Sequence, residues 1–127
     1  MLLTIDIGNT NITLGLYEGE TLSGHWRMAT NHESMPDEYG IMIKALFDYQ
    51  QMDIKSVEAV VISSVVPSLM LELEKLSQKY FSCHPLVIGP GVKTGLAIKY
   101  DNPREVGADR VVNAVAAFHK YGGPLII

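Results

Sequence analysis

The chain has 127 residues, 47% hydrophobic and 19% charged, with a formal net charge of −4 and one cysteine. That composition suits one compact folded domain and excludes a disordered or low-complexity chain. The acidic balance gives no bulk attraction for nucleic acid, a lone Cys83 excludes an intrachain disulfide, and no apolar run approaches the ~20 residues of a membrane span.

The opening stretch MLLTIDIG has no basic leader, and Asp6 interrupts its apolar run. It therefore does not read as a signal peptide, and a cytoplasmic setting is expected. Leu2 to Ile7 alternates as a strand, with Leu3, Ile5 and Ile7 on one face and Thr4 and Asp6 on the other. Ile12 to Tyr17 alternates again, Glu18-Gly19-Glu20 turns, and Thr21 to Ala29 is a third strand. The chain thus opens as a β-meander.

The period then changes. Asn31 or Ser34 can cap a helix, Pro36 suits its first turn, and Tyr39, Met42, Ile43, Leu46 and Phe47 recur on one helical face. Val57 to Ile62 is a nearly continuous apolar run, expected to be a strand buried on both faces. Ser63, Ser64 and Pro67 end it. Leu69, Leu73, Leu76 and Tyr80 mark a second helix, and Pro85 to Ile88 a short strand. GPGVKTG reads as a loop and Leu96 to Tyr100 as extended chain. Asn102-Pro103 is a helix-start signal. Val111, Ala114, Val115 and Phe118 form a third helical stripe, which Gly122-Gly123-Pro124 stops. Leu125 to Ile127 reads as the first residues of another strand, as if the chain broke off there.

Two stretches carry chemistry. In IDIGNTNIT a carboxylate in an apolar strand meets a turn of small and polar residues. Gly and Asn are good hairpin residues, so a plain turn explains Gly8 to Asn11. It does not explain Asp6, because a buried lone carboxylate is costly unless it is paired, hydrogen-bonded or metal-bound. The other reading is a phosphate loop, with backbone N–H groups approaching phosphate oxygens and Asp6 holding a hydrated Mg²⁺. In YDNPREVGADRVVNAVAAF, Asp109 and Arg110 are either solvated charges at a helix start or a proton acceptor beside an anion clamp. Asn113 falls one helical turn beyond Asp109, and Gly107 allows close backbone approach. The residues alone leave both pairs of readings open. GVKTG lacks the glycine spacing of a Walker loop, and His25, His32, His84 and His119 have no metal-ligand spacing.

Taken in order, DIGNTN, ISSVVP at Ile62 to Pro67 and YDNPREVGADR at Tyr100 to Arg110 resemble type III pantothenate kinase over essentially the whole chain. The resemblance implies an α/β fold of the ribonuclease-H-like, actin-like ATPase kind. Its mixed sheet opens with an antiparallel meander and has helices packed on it. Residues 1–127 would be the first such domain, ending at the start of a second. It implies ATP-dependent phosphorylation of pantothenate, the first step toward coenzyme A. By the same resemblance, Asp6 binds the metal, and Asp6, Ile7, Gly8, Asn9, Thr10, Asn11, Ile12 and Thr13 surround the ATP phosphates. Asp109 is the base, and Tyr100, Gly107, Ala108, Asp109 and Arg110 line the pantothenate pocket. Mg²⁺ and a monovalent cation, K⁺ or NH₄⁺, are the implied ions, the latter bound beyond residue 127. A homodimer of the full-length protein is implied, with no nucleic-acid or membrane partner, and the 127-residue chain alone is expected to be inactive. Alternatives are a kinase of the same superfamily for another hydroxyl and a non-catalytic regulatory relative. Retention of both Asp6 and Asp109 argues against the second.

Overall fold

The alternating and helical patterns fold in the order in which they occur along the chain. The computed structural model describes residues 1–89 and 92–127. Strands β1 (Leu2–Ile7), β2 (Asn11–Glu18) and β3 (Thr21–Ala29) come first, then α1 (Pro36–Tyr49), β4 (Ala59–Ser64), α2 (Pro67–Phe81), β5 (Leu86–Ile88) and α3 (Ala108–Tyr121). The sheet runs β3-β2-β1-β4-β5. β1, β2 and β3 pair antiparallel, whereas β4 joins β1 and β5 joins β4 in parallel. This is the mixed α/β sheet that the resemblance implies, with its meander on one side of β1 and its parallel crossovers on the other.

One face of the sheet is the core. Leu3, Ile5 and Ile7 of β1 lie beside Ile12, Leu14 and Leu16 of β2 and Val60 and Ile62 of β4. Onto them pack Tyr39, Ile43 and Phe47 of α1 and Leu69, Leu73 and Leu76 of α2. Each such side chain contributes roughly 1.5–3 kcal/mol of burial. Trp26 of β3 stacks on Phe47 with ring centroids 5.1 Å apart, which seats α1 on the meander. Gly40 lets α1 approach α2, because a Cβ there would lie 2.3 Å from the Tyr80 ring.

Several expectations are corrected. Asn31 and Ser34 do not cap α1; Met35 holds that position, and its N–H donates to Glu38 Oε2 at 2.6 Å. Met42 faces solvent, off the side of α1 where Tyr39, Ile43 and Phe47 are buried and Leu46 packs against them. β4 is shifted two residues along, to Ala59–Ser64. Asp53 accepts from the Lys55 N–H at 2.9 Å and starts a 3₁₀ turn at Ile54–Ser56, and this turn absorbs Val57. Nor is β4 buried on both faces: Ala59 is exposed and Val61 half-buried. Asn102-Pro103 starts only a 3₁₀ turn, at Pro103–Glu105. Residues 96–100 and 125–127 form no strand: neither segment pairs with the sheet, whose outer strands remain β3 and β5. Phe118 is exposed rather than packed. Pro90 and Gly91 of the expected 89–95 loop lie outside the described residues.

Candidate active site

Asp6 is on the face of β1 turned away from the core. At the same register stand Thr13 on β2 and Ser63 on β4. Paired residues on neighbouring strands share a face, so the three side chains form one row. Thr13 is exposed, while Ser63 is 5% exposed. Oδ1 of Asp6 and Oγ of Ser63 are both buried, and neither has a hydrogen-bond partner among the described residues. Such atoms are few in native folds and cost about 1–3 kcal/mol each. Two on adjacent strands mark a place for a polar ligand.

The turn after β1 has the polarity of an anion site. The Gly8 N–H donates to the Asn11 carbonyl at 2.9 Å and closes the hairpin. The Gly8 carbonyl accepts from Thr30 Oγ1 at 2.7 Å, and the Thr10 carbonyl accepts from the Thr30 N–H at 2.9 Å. His32 Nε2 lies 3.3 Å from the Asn9 carbonyl. The acceptors of the turn are thus tied to protein groups. The N–H groups of Asn9 and Thr10 have no partner among the described residues. Free donors on a tight turn are what a phosphate needs.

The second carboxylate arrives from α3. Gly107 precedes the helix with φ −58° and ψ 145°. A Cβ there would lie 2.5 Å from Asp109 Oδ1 and 3.4 Å from Val65 Cγ1. Glycine therefore lets the half-buried Asp109 fold back over the helix start, where the dipole favours a negative charge. It also lets α3 begin against Val65. The Val65 N–H in turn donates to the Ile7 carbonyl at 3.0 Å. Ser64 Oγ accepts from the Val66 N–H at 2.9 Å and holds this β4–α2 junction in shape. One junction thus touches the end of β1, between Asp6 and Gly8, and the start of α3 beside Asp109.

Not every expected residue joins the cluster. Gly107, Ala108, Asp109 and Arg110 are consecutive at the α3 start, with the Arg110 N–H donating to the Gly107 carbonyl at 3.1 Å. The side chain of Arg110 is exposed. Tyr100 is 61% exposed, and no hydrogen bond ties it to Asp109 among the described residues. Ile7 and Ile12 are core residues that contribute backbone only. Ser63 is the residue that pattern reading missed. Its signal was the same as that of Asp6: a polar side chain closing an apolar strand.

No group of three or more His, Cys, Asp or Glu side chains able to hold a metal ion exists among the described residues. The Asp6 carboxylate could hold a well-hydrated Mg²⁺ shared with phosphates, which needs only one or two carboxylates, rather than an ion in an all-protein cage. No described helix is long and apolar enough to cross a membrane.

The family model described as type III pantothenate kinase matches residues 2–127. A type III pantothenate kinase from an Exiguobacterium species is 57% identical over the whole chain, which covers 50% of that relative. Those from Geobacillus kaustophilus and Halalkalibacterium halodurans are 55% and 54% identical, with 49% and 50% of their lengths covered. The chain spans about half the length of the curated relatives it matches.

Proposed function

This chain belongs to the type III pantothenate kinase family, and from that premise we propose that the whole protein transfers the γ-phosphoryl group of ATP to the primary hydroxyl of pantothenate. The product is 4′-phosphopantothenate, and the reaction opens coenzyme A synthesis. Residues 1–127 act as the first actin-like ATPase domain. The observation that carries the reading is the shared junction. Val65 is held to the end of β1 beside Asp6 and the Gly8 turn, and it also abuts Gly107 beside Asp109.

Phosphoryl transfer asks a protein for positioning and charge stabilisation more than for covalent chemistry. The free N–H groups of Asn9 and Thr10, together with the rest of the Gly8 to Thr13 turn, hold phosphate oxygens. The Asp6 carboxylate takes the divalent cation. Mg²⁺ bound there supplies charge neutralisation for the phosphates. Asp109 orients the pantothenate hydroxyl and accepts its proton as the new O–P bond forms. The bond from the γ-phosphorus to the bridging oxygen breaks, and ADP leaves with the electron pair. Arg110, exposed beside Asp109, and Tyr100 contact pantothenate. A monovalent cation, K⁺ or NH₄⁺, belongs to the same proposal, and no side chain here is assigned to it. The whole protein is a cytoplasmic homodimer.

The test is mass-spectrometric detection of phosphopantothenate from the whole protein given pantothenate, Mg-ATP and K⁺. The 127-residue chain is run alongside it and is expected to make none. Phosphorylation of another hydroxyl compound, with pantothenate left untouched, would overturn the substrate assignment.

A further inference from the structure

We infer that Ser63 is a positioning residue for the divalent cation: its hydroxyl and Asp6 Oδ1 form a two-oxygen seat for one ordered water of the cation's hydration shell. The inference rests on the phosphoryl-transfer reading above and adds a residue to it.

Asp6 and Ser63 are register partners on parallel strands, and their side chains share a face. Neighbouring strands lie about 4.8 Å apart, so the two oxygens start within reach of a common partner. Both oxygens are buried, and neither is hydrogen-bonded to the other or to any other group among the described residues. Ser63 is 5% exposed, so open solvent does not satisfy its hydroxyl. The contrast with its neighbours is informative. Thr4, on the same face two residues before Asp6, gives its hydroxyl to the Gly15 carbonyl at 3.1 Å. Ser64, the next residue, accepts from the Val66 N–H at 2.9 Å. Thr13, on the other flank of Asp6, is exposed and open to water. Among the described residues, only Ser63 combines burial, an unmade hydrogen bond and a place beside the orphaned carboxylate oxygen. Two buried oxygens that do not bond each other are satisfied by a small group carrying hydrogen-bond donors. A water polarised by a cation supplies two donors, one for each oxygen.

The test compares Ser63→Thr with Ser63→Val in the whole protein, since the two side chains match in shape and differ in the hydroxyl. Mn²⁺ replaces Mg²⁺ as the probe, and its binding in the presence of ADP is followed by electron paramagnetic resonance of the free ion. Thermal melting without metal is recorded beside it. The expected result is wild-type Mn²⁺ affinity for the Thr variant and about three- to tenfold weaker affinity for the Val variant, the range of one ordinary hydrogen bond. The metal-free melting temperatures of the two should match. Should the Val variant fail to fold, Ser63→Ala takes its place, with the same expectation. Equal Mn²⁺ affinity for the hydroxyl and hydroxyl-free variants would overturn the seat. So would an absence of ADP-dependent Mn²⁺ binding to the wild type. Formation of phosphopantothenate by the wild type is scored separately. A seat that passes while pantothenate is not phosphorylated leaves the cation site standing and removes the substrate assignment.

Discussion

Replacing Gly107 by alanine should damage turnover while leaving the fold intact. The new methyl would sit 2.5 Å from Asp109 Oδ1, inside the 3.0 Å that real Cβ contacts essentially never breach. The carboxylate must therefore retreat by at least about half an ångström, and by nearly 1 Å to regain ordinary contact at 3.4 Å. Displacement of a reacting group by about 1 Å costs on the order of 10²-fold in rate. We expect kcat for pantothenate phosphorylation by the whole protein to fall roughly 10- to 100-fold, about 1.4–2.7 kcal/mol in the barrier. Stability should not follow. Gly107 has φ −58° and ψ 145°, a conformation alanine adopts freely, and Gly→Ala at a compatible site gains about 0.4–1 kcal/mol through the unfolded chain. The contact with Val65 Cγ1 at 3.4 Å is tolerable. ATP binding should be unchanged, because the Gly8 turn is elsewhere. The assays are steady-state kinetics, nucleotide titration and urea unfolding. A wild-type kcat would refute the reasoning, as would an activity loss that merely tracks lost stability.

Other outcomes follow from the same geometry. Asp109→Asn should lower kcat by about 10²–10⁴-fold with ATP affinity retained, and equal loss of both would remove the base assignment. Gly40→Ala should destabilise by about 1–3 kcal/mol in urea unfolding, because its Cβ lies 2.3 Å from the Tyr80 ring in the α1–α2 contact. Asp37 accepts from Lys79 Nζ at 2.7 Å and from the Tyr80 hydroxyl at 2.8 Å. The Lys79 bond first, then that of Tyr80, holds its carboxyl below the ordinary 3.8. A depressed carboxyl stabilises above its unfolded value and loses that stabilisation as pH falls through the folded one. Asp37→Asn should therefore flatten the acid limb of a melting-temperature profile below about pH 4. Because Asp37 is solvent-exposed, the change should shrink further in high salt; a profile indistinguishable from wild type at low salt would count against the pairing.

Local pattern was enough for most of the elements and for picking out the two candidate carboxylates. Alternation in Leu2–Ile7 and the 3.6-residue stripes in α1 and α2 depend only on which neighbours are apolar, so they are legible without the fold. Asp6 stood out because a carboxylate closing an apolar strand is costly wherever that strand ends up. Ser63 carried the same signal more faintly, since an uncharged hydroxyl is cheap until its burial is known. Expectations failed where partners decide. Leu96–Tyr100 alternates but pairs with neither edge of the sheet, and Val57 looks like strand until Asp53 closes a 3₁₀ turn ahead of β4.

By itself, the sequence determined the order of strands and helices, the polar turn after β1 and the identity of both carboxylates. Those are properties of residues and their near neighbours. Tertiary structure decided that Ser63 rather than another hydroxyl stands beside Asp6, and that Val65 joins the end of β1 to the start of α3. It did so because these relations depend on strand register and on a parallel crossover. No local period encodes how two segments far apart in the chain align across a sheet.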